Sequence, residues 1–204
     1  MSRSFHPVAA ILLTGGSSRR MGRDKSQLII NGSTMAVRTA ELLLSVVETV
    51  VEVGPGVSGL PVTRENPAGE GPLAAVAAGN RKLQELNHGG SVLVVACDLP
   101  FLSEPLLRLL AEWSSVNTVL PIVRDHPQPL CARWAGHDLE QAQELLDLGV
   151  RSLRHLAHRP GVELLSESSW GRVVSEEVFS DIDSPEDLRR LGLEELLGPV
   201  PPVH

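Results

Sequence analysis

The chain is poor in aromatic residues: three Phe, three Trp and no Tyr make up 3% of its 204 positions. Its core must therefore be built from Leu and Val, and no Trp is assigned a ligand on composition alone. Cysteine is scarce as well. Cys97 and Cys131 are too few for a disulfide scaffold and lack the paired CxxC spacing of zinc or iron–sulfur sites, which points to a reducing compartment. No apolar run is long enough to span a bilayer. Residues 1–7, with Arg3, Phe5 and His6, lack the apolar stretch of a signal peptide, so the expected location is cytoplasmic. Positive charge is in deficit: 18 Lys and Arg against 25 Asp and Glu give a net charge of −7. That balance disfavours broad attraction to nucleic acid or to an anionic membrane, although local cations can still hold a phosphate.

What remains is a globular composition, 42% hydrophobic and 21% charged, on a chain long enough to bury roughly 70% of its extended surface. Apolar runs alternate with helical periodicity. Residues 9–13, 50–53, 92–96 and 119–123 read as buried strands; residues 36–47, 71–83 and a stretch capped by Ser103 read as helices. This order predicts an α/β fold of three layers around a mainly parallel central sheet. The second half is less regular. It offers a returning strand over 130–134, a helix burying Leu139, Ala142, Leu145 and Leu146, a short helix over 151–158 and a short strand over 162–165. Ser184, Pro185 and Asp187 then supply a cap, a first-position proline and a first-turn carboxylate for a final helix. No repeat or low-complexity linker divides the chain, so residues 1–197 are expected to form one domain and residues 198–204 a flexible tail.

The strongest local feature runs from Leu12 to Lys25. A buried strand ends in Gly15 and Gly16, and the loop beyond carries Ser17, Ser18, Arg19, Arg20, Arg23 and Lys25. Glycines let a backbone approach an anion and turn its N–H groups inward, and Arg20 and Lys25 can supply the charge that a triphosphate requires. The loop satisfies neither GxxxxGK[ST] nor GxGxxG. By composition it reads equally as a solvated basic turn.

Asp98 is the second focus, because it follows the strand 92–96 at the carboxyl edge where open α/β sheets bind ligands. A magnesium ion suits such a carboxylate, since it takes few protein oxygens and completes its shell with water and phosphate. A plain strand-end turn is the competing reading. Asp181 and Asp183 lie two apart on a segment, 179–183, that reads as extended, so their side chains point to one side. A magnesium shared with Asp98 would balance them; a polar edge before the capped helix is the alternative. Seven His residues occur without HExxH spacing. His155 and His158, flanked by Arg154 and Arg159, read as basic surface, and Cys97 as a buried strand residue with no base beside it.

The Gly15, Gly16, Ser18, Arg20, Met21, Gly22, Asp24 and Lys25 block resembles the LAGGxSxRMGxDK signature of the molybdenum cofactor guanylyltransferase family, with Thr14 in place of the usual Ala. Later blocks follow in order: Gly71-Pro72-Leu73-Ala74 resembles GPLAG, Asp98-Leu99-Pro100 resembles the metal-binding DxP segment, and Asp181 to Asp187 resembles NxNTPED with both Asn positions occupied by Asp. The resemblance covers residues 9–191. It implies a Rossmann-like nucleotidyltransferase fold, GTP as substrate, Mg2+ as cofactor, and transfer of GMP to the terminal phosphate of molybdopterin with release of pyrophosphate. It implies nucleotide contacts from Leu13, Gly15, Gly16, Ser18, Arg20, Lys25, Glu65, Gly71, Pro72, Leu73 and Asp98. Lys25, Arg20 and Asp98 would serve catalysis, Asp98 and Asp183 the metal, and Asp181 and Asp183 the acceptor side. Glu65 stands where the family often has a guanine-contacting Asp. Expected partners are the nucleotide, the pterin acceptor and, transiently, proteins of cofactor biosynthesis or molybdoenzyme maturation. Two other functions fit the same residues: a cytidylyltransferase acting on the related cofactor, and an inactive nucleotide-binding regulatory module.

Overall fold

Two runs of small and aliphatic side chains, Val8–Leu13 (β1) and Ser91–Ala96 (β6), lie side by side in the middle of the sheet, paired in parallel from Val8 opposite Ser91 to Leu13 opposite Ala96. Both are buried over almost their whole length, as expected of strands covered on two faces. The computed structural model describes residues 7–15, 21 and 24–197. In chain order the remaining elements are β2 (Ile29–Ile30), β3 (Ser33–Thr34), α1 (Met35–Leu44), β4 (Val50–Val53), β5 (Val62–Thr63), α2 (Pro72–Glu85), α3 (Glu104–Glu112), β7 (Val119–Val123), β8 (His126–Pro127), β9 (Cys131–Trp134), α4 (Gly136–Glu140), α5 (Ala142–Asp147), α6 (Arg154–Ala157), β10 (Glu163–Leu165), α7 (Glu167–Trp170) and α8 (Pro185–Arg190).

The main sheet runs β10-β7-β9-β6-β1-β4-β5, with β8 paired to β7. Its pairings are parallel except at β9, which runs antiparallel to both β6 and β7, and in the β7–β8 hairpin. Alternation along β1 divides the core. Ala10 and Leu12 face α1 and α3 with Leu43, Leu106 and Leu110, whereas Ala9, Ile11 and Leu13 face α2 with Leu73, Val76 and Leu83. Gly79 of α2 allows the helix to lie against Ile11, whose side-chain atoms are 2.9 Å from where a Cβ would stand. The result is the expected three-layer α/β fold with a mostly parallel sheet.

Several local expectations change. The helix over 36–47 is Met35–Leu44, and the helix through Leu139 and Leu146 is broken at Gln141 into α4 and α5. Segment 179–183 is not one extended piece: Phe179 closes a 3-10 turn over Glu176–Phe179, and Ile182 then donates its backbone N–H to the Asp98 carbonyl at 3.0 Å. Trp134 and Trp170 are core residues, their indole N–H groups donating to the carbonyls of Pro129 and Ile122. The tail over 198–204 lies outside the described residues.

A third, smaller core decides where the site forms. Met21, Leu28, Ile30 and Met35 pack with Ile182 and Leu188, which brings the segment after β1 against the one that leads into α8. The β2–β3 hairpin belongs to this unit. Its turn is Asn31-Gly32, both with positive φ (52° and 86°), as a two-residue hairpin of this sequence requires.

Candidate active site

A cleft of about 710 Å³ opens at the carboxyl edge of β1, β4, β5 and β6. Leu13, Thr14 and Gly15 line it from β1, Asp24, Lys25 and Ser26 from the segment that follows, Gly54 and Pro55 from the end of β4, Glu65 and Arg64 from the end of β5, Gly71 and Pro72 from the start of α2, and Asp98 from the end of β6. Leu73 does not line the cleft: its side chain is fully buried in the core below α2, and its N–H bonds the Arg151 carbonyl. Gly16, Ser18 and Arg20 lie outside the described residues.

Lys25 is the centre of this arrangement. It opens a 3-10 turn, Lys25–Gln27, capped by Asp24, whose carboxylate accepts from the Ser26 N–H at 2.9 Å and the Ser26 hydroxyl at 2.7 Å. Its Nζ donates to Asp183 Oδ1 and, at 3.4 Å, to Asp98 Oδ2. Burial by itself would lower the lysine pKa, but the two carboxylates more than offset it and hold the ammonium above its ordinary value. Asp98 is shifted the other way from a usual carboxylate: burial pushes its pKa up, the Lys25 cation opposes this, and the nearby charges of Asp181 and Asp183 add to the rise. Asp181 is exposed, and it acts on Asp98 only through that charge.

Asp183 is aimed by its neighbours. Asp187 Oδ2 accepts from the N–H groups of Asp183 and Ser184 and from the Ser184 hydroxyl, while Ser184 Oγ accepts from the Asp187 N–H. This is the capping box expected at α8. With the Ile182-to-Asp98 backbone bond on one side and the cap on the other, Asp183 is held opposite Lys25.

The opposite wall contains residues that the sequence reading passed over. Glu52 of β4 is fully buried and pairs in register with Leu12. Its Oε1 accepts from the Thr14 hydroxyl at 2.5 Å and from the N–H groups of Gly56 and Val57 at 2.8 and 3.1 Å; its Oε2 accepts from the Ser58 N–H and hydroxyl at 2.9 and 2.5 Å. Burial alone would raise the carboxyl pKa, yet the bonds from Ser58, Thr14 and Val57 hold it below its ordinary value. One carboxylate thus ties the start of the glycine loop to residues 56–58. Gly54 completes the junction, because a Cβ there would stand 2.2 Å from Thr14 Oγ1 and 2.7 Å from the Gly15 nitrogen. Arg64 braces the same loop from outside, donating Nε to the Gly54 carbonyl at 2.9 Å and Nη2 to the Pro55 carbonyl at 3.0 Å. The one available signal for Thr14 was its departure from the usual Ala; nothing in the sequence paired it with Glu52.

Among the described residues no group of three or more His, Cys, Asp or Glu is arranged to hold a metal. Asp98 and Asp183 converge across Lys25, and two hard oxygen donors of this kind suit a magnesium ion that completes its shell with phosphate and water. Cys97 is buried at the cleft floor with its thiol pKa pushed up by burial and by the Asp98 charge, the opposite of what a nucleophile needs. His158 is exposed on the surface and turns its Nδ1 to the Arg154 carbonyl. A larger hollow of about 920 Å³ lies at the other edge of the sheet, beside Val8 and Ser91. Its buried Arg133 bonds the carbonyls of Trp113, Ser115 and Asn117, fixing the link between α3 and β7. None of the residues that converge on Lys25 reaches that hollow.

Comparison with known proteins agrees with this fold. Residues 10–163 match the MobA-like NTP transferase domain. A probable molybdenum cofactor guanylyltransferase of Pelotomaculum thermopropionicum is 31% identical over 189 residues, covering 89% of this chain and 90% of the relative. One from Bacillus cytotoxicus is 24% identical over 196 residues, covering 90% and 96%. Among solved structures, molybdopterin-guanine dinucleotide biosynthesis protein A from Archaeoglobus fulgidus superposes with a TM-score of 0.74 at 24% identity, covering 93% of this chain and 98% of that one.

Proposed function

Since the chain belongs to the MobA-like NTP transferase domain family, we propose that this nucleotidyltransferase moves GMP from GTP to the terminal phosphate of molybdopterin and releases pyrophosphate. The observation that carries the proposal is the convergence of Lys25 and Asp98, 73 residues apart in sequence, at one edge of a cleft whose other end holds Glu65.

An oxygen of the acceptor phosphate attacks the α-phosphorus of GTP, the bond from that phosphorus to the β-bridging oxygen breaks, and pyrophosphate departs on the opposite side. The attacking phosphate is already anionic at neutral pH, so no general base is required. Lys25, kept cationic by its carboxylate neighbours, exchanges them for phosphate oxygens and stabilises the charge that moves toward the leaving group. Magnesium, held by Asp98 and Asp183, would supply the remaining neutralising charge. The Gly15 backbone approaches the nucleoside, Glu65 accepts from the guanine N–H groups, and Gly71 and Pro72 close the cleft beside them. Arg20, Gly16 and Ser18 take their places from the signature, with Arg20 on the outer phosphates. Asp181 and Asp183 border the acceptor side.

The test is pyrophosphate release measured with each of four NTPs in magnesium, with and without molybdopterin. Release confined to GTP plus acceptor is the expected result. Release with CTP alone would replace guanylyl by cytidylyl transfer, and binding without release under any condition would make the protein a nucleotide-binding module.

A further inference from the structure

We infer that Arg64 selects the base, by donating two N–H groups to the O6 and N7 acceptors of guanine; the inference rests on the nucleotide reading above and adds a residue to it. One edge of the Arg64 guanidinium is already in use. Nε and Nη2, the side-on pair, are committed to the Gly54 and Pro55 carbonyls. Among the described residues the end-on pair, Nη1 with the second hydrogen of Nη2, carries no partner, and no carboxylate stands within 4 Å of the group. An arginine fixed through one edge presents the other as a preset planar fork, the shape that matches two neighbouring acceptors.

The position of that fork separates base from phosphate. Arg64 follows β5, which lies three strand spacings from β6 and therefore roughly 14 Å from the strand that carries Asp98. A nucleotide whose phosphates meet Lys25 and Asp98 would extend along the carboxyl edge of the sheet toward β5. There it meets Arg64 beside Glu65, whose Oε1 is held by the Gly69 N–H at 3.1 Å. A donor fork next to a carboxylate complements guanine, which offers O6 and N7 as acceptors and N1–H and N2–H as donors. Adenine presents an amino group where guanine has O6, and so sets donor against donor. The support for Arg64 is rigid in turn, because the loop whose carbonyls it grips is fastened from beneath by Glu52.

The experiment measures equilibrium binding of GTP, 7-deaza-GTP and ATP to the full chain in magnesium, for the wild type, Arg64→Ala and Arg64→Lys. 7-Deaza-GTP replaces the N7 acceptor by C–H and leaves the phosphates, the ribose and the Glu65-facing edge intact. The wild type should bind GTP about tenfold more tightly than 7-deaza-GTP. Both variants should bind the two about equally, and more weakly than the wild type binds 7-deaza-GTP because the O6 contact is lost as well, with unfolding temperatures measured alongside. The wild-type comparison needs no substitution, so it holds even where a variant folds poorly. Equal wild-type affinities for GTP and 7-deaza-GTP would overturn the inference. So would a loss of the same factor for GTP, 7-deaza-GTP and ATP in the variants, which would make Arg64 a phosphate contact or a brace. A wild type that binds none of the three would instead remove the nucleotide reading itself.

Discussion

Replacing Glu52 by Gln removes a charge while keeping the volume, and it asks how much of the cleft wall hangs on one buried carboxylate. Five donors converge on its two oxygens, and an amide has one oxygen. Turned to keep the bonds from Thr14, Gly56 and Val57, the amide would point its NH2 at the Ser58 N–H. That leaves a buried donor unsatisfied, at a cost of about 1–3 kcal/mol. The surviving bonds lose their charge assistance, which brings the total to about 3–4 kcal/mol. For a chain of this length such a loss lowers the unfolding midpoint by roughly 10 °C. The sign with pH follows from the depressed carboxyl pKa. The stabilisation is fully present above the unfolded-state value of about 4.3 and is lost as the pH falls through the folded-state value. Thermal unfolding of wild type and Glu52→Gln should therefore show a wide gap at pH 7 that narrows below about pH 4. A gap under about 1 kcal/mol at pH 7, or one that does not shrink on acidification, would refute the reasoning.

Three other outcomes follow from the geometry. Lys25→Ala should lower turnover by about 100-fold while weakening nucleotide binding far less, because the charge counts most when the leaving group develops its own; parallel losses in a binding and single-turnover comparison would reject that role. Asp98→Ala should raise the magnesium concentration needed for half-maximal pyrophosphate release, and a wild-type rate at limiting magnesium would show the carboxylate to be misassigned. Gly54→Ala places a methyl 2.2 Å from Thr14 Oγ1 and 2.7 Å from the Gly15 nitrogen, so the backbone must move at a cost of at least about 2 kcal/mol; a denaturant midpoint equal to wild type would contradict the close approach.

The sheet was legible because buried parallel strands are written as apolar runs; β1, β6 and β7 each sit on one, and β4 does so but for Glu52. The capping box at α8 was legible because Ser184, Pro185 and Asp187 carry their roles in local spacing. The β2–β3 hairpin was also written there, in Asn31-Gly32 between short β-prone pairs, and was not read. β5 was illegible: two residues, one of them exposed, carry no periodicity, and yet they place Arg64 and Glu65 on the cleft. Lys25, Asp98 and Asp183 could be chosen singly from the sequence. That Lys25 would stand between the two carboxylates could not, since it depends on the small core of Met21, Leu28, Met35, Ile182 and Leu188, whose members lie more than 140 residues apart. Glu52 was hidden for a related reason. A charged residue in an apolar strand reads as a fault until its five donors are assembled around it, and those come from two other segments.

The change from Asn to Asp at position 183 acquires a physical meaning from this assembly. An amide there would offer Lys25 a neutral acceptor, whereas the carboxylate makes a charge-assisted contact and, with Asp98, holds the ammonium in place before any phosphate arrives. On the proposed function, binding a nucleotide with magnesium would be an exchange in which the lysine passes from carboxylates to phosphate and the carboxylates pass from lysine to metal. Each charge leaves one partner for another of like kind, so neither the cation nor the anions need be stripped bare at the cleft floor, where burial makes an unpaired charge costly. Asp183→Asn should release part of that hold. The consequence expected of it is tighter nucleotide binding in the absence of magnesium, because Lys25 gives up less to reach the phosphates, and weaker dependence of binding on magnesium, because one anionic ligand is gone. Titrating GTP with and without magnesium on the wild type and this variant separates the two effects; a variant that loses affinity equally in both conditions would show that Asp183 supports the fold of the site and takes no part in the exchange.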